Sequence, residues 1–204
     1  MKSLSVLVQA AIGCSMLAAV AITPQDAQAK KKNIAKSGVG FGVSPFGGSF
    51  SYNHHQSAKL TYQFAFGGLP ESDVSVTVND VEYDNKGSSS WGGAFINYRP
   101  LKKARWFRLN TGLAVGQIDN KLEDSDGNSY RIKYTENPVF YTGIGFGATA
   151  RKGFSMGFDL GFLHTGGPVV TAVEGNGAAA EDLEDSLFFG SRLPNAQLFL
   201  GWNY

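Results

Sequence analysis

The chain has one cysteine in 204 residues, Cys14, and it lies in a leader-like N-terminal stretch. Once such a leader is removed the mature chain carries no thiol, so it neither needs nor risks disulfide chemistry in an oxidising compartment. Charge of one sign is lacking too: 18 Lys and Arg stand against 17 Asp and Glu, a formal net charge of +1, and no basic stripe or stacking platform emerges along the chain. Nucleic acid is set aside as a partner on those grounds. Histidine is scarce, at three residues, so imidazole chemistry is confined to His54, His55 and His164. Repeats rich in Glu, Lys and Leu, the material of long helices, are missing as well.

What is present is glycine, 26 residues of it, together with abundant Phe and Tyr. That composition suits many strands and turns, and the length suits one domain. Residues 1–29 read as a signal peptide, with a basic end at Lys2, a largely apolar run from Leu4 to Ile22, and a small-x-small site at Ala27-Gln28-Ala29. Cleavage before Lys30 is expected, leaving residues 30–204 as the folded domain. The rival readings are a single transmembrane anchor and lipidation at Cys14 within Ala11-Ile12-Gly13-Cys14, where Ala11 stands in place of the usual larger aliphatic residue.

From Pro194 to Tyr204 the side chains alternate with period two up to the last residue. Ala196, Leu198, Leu200, Trp202 and Tyr204 share one face, and Asn195, Gln197, Phe199, Gly201 and Asn203 share the other. Similar alternation predicts strands over Asn33 to Val43, Phe46 to Asn53, Ala58 to Gly68, Ser88 to Arg99, Arg105 to Ile118, Val139 to Ala150 and Phe154 to Thr165. Phe46, Phe50 and Tyr52 fall on one phase, as do Leu60, Tyr62, Phe64 and Phe66, while Ile96 and Tyr98 are placed outward on the least regular strand. Ser44-Pro45-Phe46-Gly47 has the residue order of a type I turn, against the alternative of one long strand bulged at Pro45.

The connections alternate in length. His54 to Ser57, Pro100 to Ala104 and Arg151 to Gly153 are short, whereas Leu69 to Gly87, Asp119 to Asn137 and Gly166 to Leu193 are long. Val74 to Val78 extends the preceding ladder in this reading, Asp126-Gly127 marks a hairpin tip, and Gly177 to Leu187 suits a short helix in an otherwise irregular loop. Taking Ser44 to Gly47 as a turn makes eight strands, an even number with both ends on the short-turn side, as bacterial single-chain barrels have. Aromatics cluster near the short turns (Tyr52, Tyr98, Trp106, Phe107, Phe154, Trp202, Tyr204), and Arg99, Lys102, Lys103, Arg105, Arg151 and Lys152 sort to the same end. One phase is bulky and apolar and the other is small and polar. The expected fold is therefore an all-β, eight-stranded, antiparallel, up-and-down transmembrane barrel with long outer loops. A soluble lipocalin-like binding barrel would show the same alternation turned inside out.

The closing strand, apolar at every second position back from a terminal aromatic, resembles the C-terminal assembly signal of outer-membrane barrels. Val81-Glu82-Tyr83-Asp84, Gly143-Ile144-Gly145-Phe146-Gly147, Phe158-Asp159-Leu160-Gly161 and the acidic Ala/Glu/Asp stretch before that strand, in this order, resemble the OmpA-like/OmpX-like small barrels and a proteobacterial branch of them. The resemblance implies the cell outer membrane as location, membrane lipid and lipopolysaccharide as surroundings, and the barrel assembly machinery as a partner of the C-terminal strand. The chain departs from OmpA itself in having no peptidoglycan-binding domain after the barrel, so wall tethering is not implied. It also ends on Tyr204 where Phe is commoner.

The residues point to no catalytic, cofactor-binding or metal site. His54 and His55 sit on a short turn and are expected to do nothing beyond solvation. His164 stands on the lipid-facing phase, where a lipid A deacylase would place its base, yet Thr165, Gly166 and Gly167 beside it offer no serine. Asp124-Ser125-Asp126-Gly127-Asn128 fails as a calcium loop because the register puts Leu122 first and Lys133 twelfth. The loop acids suit a solvated surface and loose cation bridging to lipopolysaccharide phosphates. A structural or surface-interaction barrel that is not a general porin is the expectation, and a lipid A-modifying enzyme the alternative. In the narrow lumen, Arg108 and Asp159 are expected to share one polar network with Asn110 nearby, because a buried ion must be paired.

Overall fold

The computed structural model describes residues 34–78, 81–135, 137–147, 149–175 and 189–204. The expected signal peptide with Cys14, and the helix expected at Gly177 to Leu187, lie outside the described residues. Among the described residues ten antiparallel strands follow in order: β1 (Ser37–Ser44), β2 (Gly47–His55), β3 (Leu60–Val78), β4 (Val81–Tyr98), β5 (Phe107–Asp124), β6 (Ser129–Tyr134), β7 (Val139–Gly147), β8 (Gly153–His164), β9 (Val169–Glu174) and β10 (Arg192–Asn203). Eight of them, β1 to β5 with β7, β8 and β10, pair neighbour to neighbour, and β10 on β1 completes the ring. The chain ends tie that seam, with Tyr204 N donating to Ser37 O at 2.8 Å and Lys36 N donating to Tyr204 O at 3.0 Å.

The strands form because period-two alternation gives every one of them a bulky face and a small face. The bulky face points out. Phe41, Phe50 and Phe66 stand exposed across three adjacent strands, their rings 5.4 and 6.1 Å apart. Leu109, Leu113, Phe162, Leu200 and Trp202 continue the belt. Lumenal positions carry mostly Gly, Ala, Ser, Thr and polar side chains, with Trp91, Phe95, Tyr141 and Phe199 among them, since eight strands leave only enough room for side chains to fill. The anticipated spans hold with small shifts: β1 starts at Ser37, β3 at Leu60 and β5 at Phe107, and β7 ends at Gly147.

Ser44 to Gly47 is a turn and not a bulge, since Ser44 pairs with Gly47 and Gly47 takes φ +94°. A Cβ there would run into the Gly68 carbonyl, so only glycine suits the position. The turn corrects one expectation. Phe46 does not join the outer belt but folds across the barrel mouth, where its carbonyl accepts hydrogen bonds from Ser89 Oγ at 2.8 Å and Trp91 Nε1 at 3.3 Å.

The polar excursions are the larger departure. Beyond the bulge between Leu69 and Ser72, β3 and β4 remain paired to their tip, and β5 continues to Asp124, turns back as β6, and β6 pairs with β9. Where β5 passes from β7 to β6, the Asn137 side chain fills the gap like a peptide group, accepting from Gly116 N at 2.8 Å and donating to Gly116 O at 3.1 Å. The lumenal phase of the barrel strands runs on as the inner face of this cap. Tyr83, Leu122, Tyr130, Ile132, Tyr134, Phe189 and Leu193 form a buried cluster over the mouth, with Phe46 and Leu163 packed beneath it. Glu82, Asp84 and Glu123 lie on the exposed side. The ladder extension expected at Val74 to Val78 and the hairpin tip expected at Asp126-Gly127 are present, and among the described residues the excursions form a sheet whose apolar core the expectation of a solvated loop surface did not include.

Candidate functional site in the barrel lumen

Arg108 and Asn110 on β5 reach across to Asp159 on β8. Arg108 Nη2 lies 2.7 Å from Asp159 Oδ1, and Asn110 Nδ2 donates to the same oxygen at 2.6 Å. Arg108 also donates to Gly147 O at 3.2 Å, and its guanidinium carbon sits 4.7 Å from the centre of the Phe199 ring. Gly145, opposite both residues in register, leaves the space they occupy, for a Cβ there would meet Asp159 and Arg108. The expected network is present, and the physical reason is desolvation: each ion, nearly sealed from water, needs the other.

This ionic plug divides the lumen. Toward the long-loop end lies a cavity of about 90 Å³, lined by Trp91, Phe95, Asn110, Tyr141, Asn195 and others. Toward the short turns lies a smaller one of about 20 Å³, touched by His55, Arg99, Arg108 and Asn203.

His55 corrects the expectation of a solvated turn residue. It is buried, with Nδ1 2.9 Å from Thr61 Oγ1 and Nε2 3.1 Å from Asn203 Oδ1. Asn203 Nδ2 donates to Thr149 O and Arg151 O, both at 3.1 Å, which turns its oxygen toward the imidazole. His55 therefore carries its proton on Nε2 and accepts on Nδ1 from the Thr61 hydroxyl. That hydroxyl oxygen in turn accepts from Arg99 Nη1 at 3.0 Å. The chain of bonds locks β2, β3, β10 and the turn before β8 together. Strand parity was the available signal, since His55 shares the lumenal phase of Ser49, Ser51 and Asn53. His54, on the opposite phase, is exposed.

His164 stands on the outward face, and the structure supplies a hydroxyl that proximity in sequence did not. Thr142 Oγ1 lies 2.8 Å from His164 Nε2, with the Phe140 ring 5.9 Å from the imidazole. Among the hydrogen bonds of the described residues, none brings a carboxylate to His164.

On the cap, the Asp124 carboxylate is spent within its own hairpin tip. Oδ1 accepts from Asp126 N and Asn128 N, and Oδ2 accepts from Asn128 Nδ2 at 2.9 Å. Those bonds, led by the Asn128 side chain, hold the Asp124 acid below its usual range. Asp119 grips Arg131 through two bonds, Oδ1 to Nε at 3.0 Å and Oδ2 to Nη2 at 2.6 Å, and the Arg131 side-chain bond lowers the carboxyl's pKa. Burial pushes the Tyr134 phenol up, beneath the Gly190 carbonyl it donates to.

No protein-family model matches the sequence, and no curated protein matches it either. Solved structures that share the fold include two outer-membrane proteins of Acinetobacter baumannii. Acinetobacter baumannii CarO superposes with a TM-score of 0.64 at 17% identity, over 86% of this chain and 100% of that one. Acinetobacter baumannii CarO2 gives a TM-score of 0.66 at 15% identity, over 84% of this chain and 99% of that one. At such identities the likeness carries the architecture alone: an eight-stranded antiparallel transmembrane barrel with long outer excursions.

Proposed function

We propose that this chain is an outer-membrane barrel with a closed lumen whose role is structural or surface-directed and is exercised by its long-loop cap. The observation that carries this reading is the polarity of the wall: Phe41, Phe50, Phe64, Phe66, Leu113, Phe162 and Trp202 project outward, while Arg108, Asn110 and Asp159 are buried inside. That arrangement suits a barrel in hydrocarbon and opposes a lipocalin-like barrel in water, whose apolar face lines the inside. The likeness to CarO and the residues resembling OmpA-like/OmpX-like barrels support the same placement. With the short turns taken as periplasmic, the cap faces outward and shows Glu82, Asp84 and Glu123 to lipopolysaccharide or to an extracellular partner.

Fractionation of cells expressing the full chain tests placement. The heat-modifiable barrel is expected in the outer membrane, and recovery as a soluble periplasmic monomer overturns the reading.

The Thr142 and His164 pair is the observation that favours a lipid-modifying enzyme. It supplies a hydroxyl and an imidazole on the lipid-facing surface, but an orienting carboxylate is needed to complete a nucleophile and base. Two polar groups facing hydrocarbon also satisfy one another without chemistry. Overexpression is expected to leave lipid A unchanged, whereas an altered acyl pattern abolished by Thr142→Val establishes the enzyme.

A further inference from the structure

The exposed charges of the barrel are sorted between its two ends. Lys36, Lys102, Lys103, Arg105, Arg151 and Lys152 stand on or beside the short turns, exposed or half-buried, and no aspartate or glutamate occurs in residues 34–37, 54–59, 99–106 or 149–153. Among the described residues none of these six cations joins an ion pair, for the pairs that form lie in the lumen and on the cap. The carboxylate of Tyr204 is the one anion at this end among the described residues, and its oxygen already accepts from Lys36 N at 3.0 Å and Ser37 N at 3.2 Å. The opposite end shows Glu82, Asp84 and Glu123. A chain of net charge +1 therefore presents a positive field at its short turns.

What adjoins these cations is aromatic. Trp106 follows Arg105 directly, stands exposed and stacks on Phe146 at 6.0 Å. Phe154, two residues after Lys152, faces Trp202 across the β8–β10 register, and both are exposed. Leu101 is exposed within the basic turn itself. Rings at the edge of an apolar wall mark the boundary between hydrocarbon and headgroups. An extended residue advances the chain by about 3.3 Å, so Arg105 and Lys152 start within two residues of that boundary. Their long side chains reach the headgroup level while the stems stay against the rings. The cations are spread over separate turns around the wall, and those turns project little past it. An anion that meets them must itself lie at that level, as a lipid headgroup does and a wall polymer or a soluble acidic protein does not.

We infer that the short-turn end of the barrel binds anionic phospholipid headgroups of the phosphatidylglycerol class, selecting them from the leaflet that surrounds it. A basic side chain near an anionic headgroup favours contact several-fold over a zwitterionic one. The inference rests on the reading of this chain as a membrane barrel and adds the headgroup that the barrel prefers.

The test places the full mature chain in phosphatidylcholine vesicles and compares tryptophan quenching by brominated phosphatidylglycerol and brominated phosphatidylcholine. Trp106 and Trp202 report on the short-turn girdle, whereas Trp91 lines the lumen with Nε1 bonded to Phe46 O. Phosphatidylglycerol is expected to compete for the girdle about fivefold better at about 0.01 M salt, and the preference to vanish near about 1 M, where the Debye length falls from about 30 Å to about 3 Å. Lys102→Gln with Lys103→Gln and Arg105→Gln is expected to lower the preference, as is Arg151→Gln with Lys152→Gln, and all five together to abolish it. The two partial variants decide the matter should the combined one lose its heat-modifiable fold. Failure of the unaltered chain to insert into pure phosphatidylcholine overturns the membrane reading together with this inference, whereas insertion without headgroup preference overturns this inference alone. A preference that survives about 1 M salt or the five substitutions also overturns it. Binding to isolated peptidoglycan by a chain that shows no lipid preference would assign the basic end to the wall polymer instead.

Discussion

Single substitutions in the plug separate the cost of burying a charge from the cost of losing a contact. Arg108→Met leaves Asp159 as an unpaired ion with only Asn110 to solvate it, and Asp159→Asn strands Arg108. Each is expected to cost about 3 to 5 kcal/mol, against a much smaller loss when Arg108→Met and Asp159→Leu are combined, because then no ion remains alone. Denaturant unfolding of the barrel in detergent micelles checks this, and additive losses in the double variant would refute the coupling. On the cap, Asp119 has a folded pKa below that of the free side chain because of Arg131. Its contribution is complete above the ordinary carboxylate range, near about pH 4, and is lost as pH falls through the depressed value. Amide shifts of β5 and β6 are expected to move together in that acid window, and Asp119→Asn to reduce the pH dependence to the share that Asp124 contributes at the hairpin tip, while loosening the hairpin at neutral pH.

At the scale of elements, the cap and the wall are stabilised by different means. Cap strands pack Leu122, Tyr130 and Ile132 into a conventional apolar core, whereas barrel strands hold their positions through a closed ladder around a polar interior. Ile132→Ala is expected to cost the cap about 2 to 5 kcal/mol by leaving a cavity. Protease then cuts the β5–β6 hairpin readily while heat-modifiable mobility of the barrel persists. Simultaneous loss of both would show that cap and wall unfold as one unit. Gly47→Ala strains the first hairpin by about 1 to 3 kcal/mol, since φ +94° is disfavoured for any residue with a Cβ, and its collision with Gly68 adds to this.

For the molecule as a whole, closure of the lumen decides permeability. The ionic plug and the cap core lie in series between the two ends, so the purified chain in planar bilayers is expected to show no stable porin-size conductance. Porin channels are built on about 16 to 18 strands, and large steady steps from this chain would contradict the closed lumen. The terminal residues matter for the same closure. Asn203 bonds to His55, Thr149 and Arg151, and Tyr204 ties to Ser37 across the seam. Removal of Trp202 to Tyr204 is expected to reduce the yield of heat-modifiable barrel severely, and normal yield would mean that the seam closes without them.

Strand number, hairpin order and the outward face were legible in the amino-acid order alone. They rest on period-two alternation, turn chemistry at Ser44 to Gly47 and the parity of connections, all of which are local. The pairing of Arg108 with Asp159 was also legible, because two lumenal charges in a narrow barrel have few other partners. Three things were decided only by the tertiary structure. His55 became part of a buried relay because Thr61, Arg99 and Asn203 are brought beside it from three other parts of the chain. Thr142 met His164 because β7 and β8 pair in one particular register. The excursions folded into a cap because Tyr83, Leu122, Ile132 and Phe189 come from separate segments, each too short to bury its apolar face alone. Alternation tells which way a side chain points, but register and ring closure determine what it meets there.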